Sequence, residues 1–390
     1  MTVMRPNGAT LRLGLAHFQL EHGMSGEANS LYGLKQMLES AGVLVTLFGA
    51  SSIKHATVSN GREKLFAKVL GLGRAVRELP ATVKEIDCLQ LHLPTPAFSF
   101  VADYLVHKLS IPVVVRYDSL LVDEKPFSIM RRALADPVFY LPRLLINNGQ
   151  VGKCTRRRAA HYIVSSKVQR TQLIDIGYDV EKISVISNFS GVRTSCAEDN
   201  QALGDLVRKN ARPVVTYFGH LFQAKGVDVL LRAIPRLTRE VTVVIAESGL
   251  GQSKAMRRLA RKLRIEDRVV WLGKVDVPHL VSISNLVVLP YRVDYGTVVY
   301  PNALLETFEI GCPVVTTSLP VTRELCEHYE VAYLAAIEDA ENLALGIDEV
   351  LSNIERQRQM IKNQKLYVES RLNKECLLNA YCSVYQKVLQ

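Results

Sequence analysis

Tyr291–Thr317 reads YRVDYGTVVYPNALLETFEIGCPVVTT, and it decides the fold because it sets a short helix between two buried strands. The run LVVLP (Leu286–Pro290) leads into it and PVVTT (Pro313–Thr317) closes it. Continuous apolar runs of this kind are expected of strands covered on both faces. Asn302 is expected to cap the helix, its side-chain oxygen accepting a first-turn N–H, and Gly311 to end it in the left-handed conformation. Glu306 then sits within about one turn of the positive helix end. In open parallel sheets ligands bind where strand carboxyl ends meet helix amino ends. Glu306 and the loop after Pro290 fall there. The glutamate either faces a ligand or only complements the helix dipole, and this stretch alone leaves both readings open.

The same alternation extends in both directions. Before it come VVTYFG (214–219), VTVVIAE (241–247) and VVWLG (269–273), separated by helical runs. The first half carries LRLGLAHF (11–18), VLVTLFG (43–49), DCLQLHL (87–93), PVVVRYD (112–118), HYIVSS (161–166) and ISVISN (183–188). Leu31, Leu34 and Leu38 mark one helical stripe between the first two strands, ending at Gly42. Strands alternating with helices predict parallel sheets with helical crossovers, α/β in class. Residues 191–212 are polar, lack a strand pattern and read as a linker. The expected architecture is two Rossmann-like domains facing a central cleft. Their expected spans are 1–195 and 196–370, with 371–390 as a last amphipathic helix packing back on the N-terminal domain.

A chain of 390 residues has ample core for two or three domains. Its seven cysteines (88, 154, 196, 312, 326, 376, 382) show no C-x-x-C or paired spacing. Neither a zinc site nor a disulfide framework is supported, and reduced core cysteines fit a cytoplasmic protein. The first residues read as a strand rather than a cleaved leader, and no run approaches the roughly 20 apolar residues of a membrane span. The net charge of +10 is concentrated between Lys125 and Arg170, densest at Arg131-Arg132 and Arg156-Arg157-Arg158. Such a face suits anionic lipid, which would put the protein at the inner face of the membrane, or an acidic acceptor; a plain solvated helix face is the bland alternative. Nucleic acid is disfavoured, since no aromatic interleaving or recognition motif accompanies the charge.

Several residues have the chemistry of a site. Gly219-His220-Leu221-Phe222-Gln223-Ala224-Lys225-Gly226 follows a strand and precedes a helix over 227–237, a cation and backbone donors suited to phosphate. It lacks the Walker order. Gly23-Met24-Ser25-Gly26 is either a close-approach loop for a ligand, with Gly26 in contact, or an ordinary βα connection. Gly71-Leu72-Gly73 lacks a third glycine at the needed offset, which removes the main support for a nicotinamide enzyme. His92 and Asp118 end two strands of the first half and are candidates to contact a sugar or an acceptor. A lone histidine is more often structural.

Taken in order, these segments resemble glycosyltransferase family 4 of the GT-B fold. The matching pieces are the loop at 23–26, IDCLQLHLP, IPVVV, HYIVSS with VISN, YFGHLFQAKGVDVLLRAI, VVWLGKV and YPNALLETFEIGCPVVTT. The resemblance implies transfer of a sugar from a nucleotide-diphosphate donor with retention at the anomeric carbon, without cofactor or bound metal. It implies that Lys225 holds the diphosphate and that Glu306 accepts hydrogen bonds from ribose hydroxyls. Gly219, His220, Tyr295, Asn302, Ala303 and Leu304 join them on the donor side, and Asp118, His92 and Asp294 form the expected reactive set. The implied acceptor is a glycan, a lipid-linked sugar or a small molecule, as in surface polysaccharide or glycoconjugate synthesis.

Three departures bear on this. His220 stands where the family usually has arginine, Asp118 where it usually has histidine, and Val298 where it has the first of two paired glutamates. Valine bonds no hydroxyl, so Asp294 or Tyr295, in a lengthened loop, is expected to supply the missing contact. A non-catalytic subunit of a glycan assembly complex is the competing reading, and a sugar-phosphate transferase or phosphorylase a third.

Overall fold

The computed structural model describes residues 9–17, 26–49, 85–93, 98–122, 125–137, 140, 159–188, 212–295 and 298–390. The first lobe is built on β1 (Arg12–His17), β2 (Leu44–Gly49), β3 (Cys88–Leu93), β4 (Val113–Tyr117), β5 (His161–Val164) and β6 (Ile183–Val185). They form one parallel sheet in the order β2-β1-β3-β4-β5-β6. Val114 and Val115 are adjacent on β4 and therefore point to opposite faces, yet both are fully buried. Helices must cover both faces. Among them are α1 (Gly26–Ser40), α2 (Ser99–Lys108), α3 (Pro126–Ala135) and α4 (Lys167–Asp175). The α1 stripe of Leu31, Leu34 and Leu38 is buried.

The second lobe repeats the plan with β7 (Val214–Leu221), β8 (Thr242–Gly251), β9 (Val269–Leu272), β10 (Leu286–Leu289), β11 (Val314–Thr317) and β12 (Tyr333–Ala335). Its parallel order is β12-β11-β10-β7-β8-β9. The helices are α5 (Val227–Ala233), α6 (Ser253–Leu263), α7 (Val277–Ser282), α8 (Asn302–Ile310), α9 (Pro320–Leu325), α10 (Ala340–Ser352), α11 (Ile354–Tyr367) and α12 (Lys374–Leu389). The two Rossmann-like lobes expected from the alternation are therefore present. The linker expected at 191–212 lies outside the described residues except for Arg212.

Details of the local reading change. Strand β12 was not anticipated, because three residues are too few to show a period. The helix expected over 227–237 ends at Ala233 and tightens into a 3-10 turn at Ile234–Arg236, where Pro235 has no N–H to donate. Asn302 does not cap α8. Pro301 precedes the helix and its carbonyl accepts from the N–H groups of Leu304 and Leu305 at 2.8 and 3.2 Å. Asn302 is already helical, and its side chain meets Asn188 and Ser30 of the first lobe at 3.4 and 3.5 Å. Gly311 does end α8 left-handed, with φ of 84°.

The cores interlock across the lobes. Leu377, Tyr381, Val384 and Tyr385 of α12 lie in the first-lobe core with Leu11, Leu13, Leu15 and Leu31. In return, Leu120, Ile129 and Tyr140 of the first half lie in the second-lobe core. Each core is completed by chain from the other half, so separating the lobes exposes apolar surface on both.

Candidate functional site

The second-lobe part of the site starts from β7. The strand runs through Gly219 and His220 to Leu221, farther than expected, and a 3-10 turn over Gln223–Lys225 follows. Gly226 then adopts φ of 69°, and a Cβ there would lie 1.8 Å from the carbonyl oxygen of Pro290. Only glycine fits, because the loop carrying Lys225 is pressed against the end of β10. This contact aligns the loop with Tyr291. Lys225 Nζ sits 4.7 Å from the centroid of the buried Tyr291 ring, a cation–π arrangement. Burial and the charge of Glu306 both push the Tyr291 phenol above its ordinary range. Tyr291 thus touches the Lys225 ammonium and feels the charge of Glu306.

Two of the backbone donors in this loop are already used. The N–H of Lys225 bonds Phe222 O at 2.9 Å and that of Gly226 bonds Gln223 O at 3.0 Å, which leaves the Lys225 ammonium as the charged group this turn presents. Leu304 is similar, with a fully buried side chain and its N–H on Pro301. His220 meets Ser248 Oγ through Nδ1 and turns its ring edge to Phe222 at 5.6 Å.

Arg292, unremarked in the sequence, locks this arrangement. Its guanidinium takes both oxygens of Asp228 at 2.6 and 2.7 Å, the carbonyl of Gln223 at 2.6 Å and Glu338 at 2.7 Å. Its own N–H bonds Ala224 O at 2.9 Å. Burial disfavours the Asp228 carboxylate, but Arg292 and then Arg232 outweigh it and hold it below the usual range. The fork fastens the Lys225 turn to the loop after β10. A charged residue in the loop shortly after a buried strand was the available signal.

In the first lobe, Asp118 follows β4 and is 9% exposed. Arg116 Nε lies 3.3 Å from its Oδ1, and His92 Nδ1 lies 3.6 Å from its Oδ2. Burial opposes ionisation of Asp118, yet His92 and the permanently charged Arg116 keep it below the carboxylate range. Burial lowers His92, and Asp118 only partly offsets this. The arrangement is an ionised carboxylate beside a neutral imidazole. Arg116 was legible as the one charge within VVVRY.

The lobes meet at Asp118. Its carbonyl accepts from Val299 N at 3.0 Å, and Leu120 pairs with Tyr295 as an isolated parallel bridge. Asn188 Nδ2 donates to Tyr300 O at 2.5 Å. Glu324 of α9 accepts from the first N–H groups of α4, Lys167 and Val168, at 2.8 and 3.0 Å, a favourable place for a carboxylate. A small, partly open pocket lies at this junction, lined by Ser30, Leu34, His92, Arg116, Asp118, Asn188, Val298 and Tyr381. His92 and Asp118 are thus brought together, and Val298 lines the same pocket. Asp294 and Tyr295 do not line this pocket, and Tyr295 is 2% exposed. Backbone pairing with Leu120 draws that part of the loop into the lobe junction.

Of the remaining expectations, Gly26 opens α1, while 23–25, 71–73 and 156–158 lie outside the described residues. Two of the basic residues turn to the second lobe, Arg132 to Glu338 at 3.9 Å and Lys167 to Glu327 at 2.9 Å. Among the described residues no helix is long and apolar enough to cross a membrane, and no group of His, Cys, Asp and Glu has the clustering of a metal site.

Residues 200–367 match the family described as Glycosyl transferases group 1. The chain is 25% identical over 212 residues to the N-acetyl-alpha-D-glucosaminyl L-malate synthase of Bacillus anthracis, covering 53% of this chain and 54% of that protein. It is 26% identical over 210 residues to the lipopolysaccharide core biosynthesis glycosyltransferase LpsE of Rhizobium meliloti, covering 53% and 58%. The chain thus spans about half the length of these relatives. The crystal structure of HepE from Anabaena with UDP and glucose superposes with a TM-score of 0.67 at 17% identity, over 96% of this chain and 99% of that one. At that identity the likeness is one of fold.

Proposed function

We propose that this protein is a glycosyltransferase that moves a sugar from a nucleoside-diphosphate donor to an acceptor bound in the cleft, with retention at the anomeric carbon. The observation that carries this is the contact of Lys225 with the Tyr291 ring, whose phenol also feels the charge of Glu306. A cation against this buried ring and a carboxylate close enough to raise its phenol suit the two ends of a nucleotide, the diphosphate and the ribose diol. The match of 200–367 to group 1 glycosyl transferases and the UDP and glucose in HepE support the same donor class.

In this reading Lys225 neutralises charge growing on the leaving diphosphate, the kind of electrostatic assistance that dominates such reactions. Glu306 accepts hydrogen bonds from the ribose, each worth about 1.5 to 3 kcal/mol when charge-assisted. Asp118, ionised and held by Arg116, faces the sugar or the acceptor hydroxyl. Lys225 takes the place a metal ion would fill, so a chelator leaves activity unchanged. The acceptor is a glycan, a lipid-linked sugar or a small molecule, and the basic first-half residues outside the lobe contact are the surface that would meet anionic lipid.

The test is a thermal-shift screen of nucleoside diphosphates and their sugars, followed by product analysis by NMR. Stabilisation by one nucleoside diphosphate and transfer with the donor's anomeric configuration are expected. No response to any of them contradicts the proposal. Val298 in the pocket wall favours one competing reading, a non-catalytic relative. Slow donor hydrolysis abolished by Glu306→Ala excludes it.

A further inference from the structure

Beneath Asp118, polar groups of the first-lobe sheet meet two tyrosines that arrive from the far end of the chain. Tyr385 OH donates to Gln90 Oε1 at 2.7 Å, and Gln90 Nε2 lies 2.8 Å from His92 Nε2. Tyr385 and Gln90 are fully buried and His92 is 6% exposed. Burial pushes the Tyr385 phenol far up, so it remains a donor. An amide nitrogen only donates, so His92 Nε2 must offer its lone pair and the ring proton resides on Nδ1. That proton faces Asp118 Oδ2. The opposite tautomer would turn a lone pair toward a carboxylate.

A second arm reaches the other carboxylate oxygen. Arg116 Nη1 donates to Tyr381 OH at 2.8 Å and to Ile186 O at 3.2 Å, and Nη2 donates to Ser165 Oγ at 2.8 Å. These bonds leave Nε directed at Asp118 Oδ1. The groups facing His92 are then Arg116 of β4 and Asp118 just after it, Gln90 from its own strand, Tyr385 behind Gln90 and Tyr381 behind Arg116. His17 of β1 adds a ring edge at 6.1 Å.

We infer that α12 sets the hydrogen-bonding state of the first-lobe site, Tyr385 fixing the Nδ1–H form of His92 through Gln90 and Tyr381 holding Arg116 against Asp118. Both tyrosines are positioning residues, and Asp118 is the group they position. The functional meaning rests on the proposed role of Asp118, whereas the proton arrangement does not. Because α12 follows the whole second lobe in sequence, the reactive geometry of the first lobe is completed only when the end of the chain docks. His92 is thereby moved from the reactive set to its support, since both ring nitrogens face fixed partners.

The test is imidazole ¹⁵N NMR of the full chain, with the His92 signals assigned by His92→Gln. The wild type is expected to show neutral Nδ1–H His92 at and below about pH 6.5, where a free imidazole is half protonated. Gln90→Glu presents an acceptor to Nε2 and is expected to turn His92 into an imidazolium at neutral pH. Tyr385→Phe releases the amide and is expected to give mixed tautomers, with kcat for donor turnover down roughly tenfold and KM within about twofold. An Nε2–H or charged His92 in the wild type overturns the inference, even if Tyr385→Phe fails to fold. So does a Tyr385→Phe spectrum identical to the wild type. The NMR needs no substrate, so failure of nucleotide binding would strike the proposed function and leave this result standing.

Discussion

Lys225 Nζ lies 4.7 Å from the centre of the Tyr291 ring, although the two residues arrive from loops after different strands. The ring is a platform that fixes where the ammonium sits. A cation–π contact contributes about 0.5 to 2 kcal/mol. Tyr291→Ala is expected to weaken nucleoside diphosphate binding about threefold to tenfold, whereas Tyr291→Phe, which keeps the ring, costs less than about threefold. Titration calorimetry distinguishes the two, and equal losses would mean that the hydroxyl rather than the ring matters.

Glu306 is assigned to the ribose, which makes its contribution conditional on the sugar hydroxyls. Glu306→Ala should cost about 2 to 3 kcal/mol with an ordinary nucleotide and almost nothing with a 2′,3′-dideoxy analogue. A double-mutant cycle with the two ligands measures the coupling. A loss that is the same for both places Glu306 away from the ribose.

The Arg292–Asp228 fork ties the Lys225 turn to the loop after β10. Breaking a buried pair by removing one partner leaves a charge uncompensated, at a cost of about 3 kcal/mol. Arg292→Met should therefore lower thermal stability by several degrees and weaken diphosphate binding together. Unchanged affinity in a destabilised variant would show that the fork supports the fold without ordering the site.

Much of this was readable in the chain. Both sheets, nearly every strand and the stop at Gly311 followed from apolar runs and glycine chemistry, because a strand buried on both faces leaves a short apolar run bounded by turn residues. The cap at Asn302 was misassigned because Pro301 starts the helix with its own carbonyl, a choice made by a contact to Asn188 and Ser30 far away in sequence. Tyr381 and Tyr385 gave no signal, since a tyrosine on an amphipathic helix reads as core until its hydroxyl is seen to reach Arg116 or Gln90. Val298 was found by resemblance, whereas the pairing of Tyr295 with Leu120 gave no signal, because loop pairing across lobes is invisible to local patterns.

Stability is expected to fall as the solution is acidified below neutrality. His161 is lowered from 6.5 to about 4, by burial and then by Lys387 and Lys182, and burial lowers His92 as well. Each is neutral in the fold but takes up a proton on unfolding once the pH drops below about 6.5, so the unfolded state gains in acid. Asp118 and Asp228, held below their ordinary range, add a loss of the same sign as the pH falls through the carboxylate range. Denaturant unfolding at several pH values should give a slope between pH 6.5 and about 4 that His161→Gln flattens. A slope of opposite sign would contradict the neutral-histidine assignment.

The account depends most on Lys225 and Glu306 gripping one nucleotide from two sides. Calorimetric titration of the nucleoside diphosphate selected by thermal shift into the wild type, Lys225→Ala, Glu306→Ala and the double variant tests it directly. One site per chain is expected, weakened at least about tenfold by either substitution. Absence of binding to the wild type, or single variants that bind as the wild type does, would contradict it.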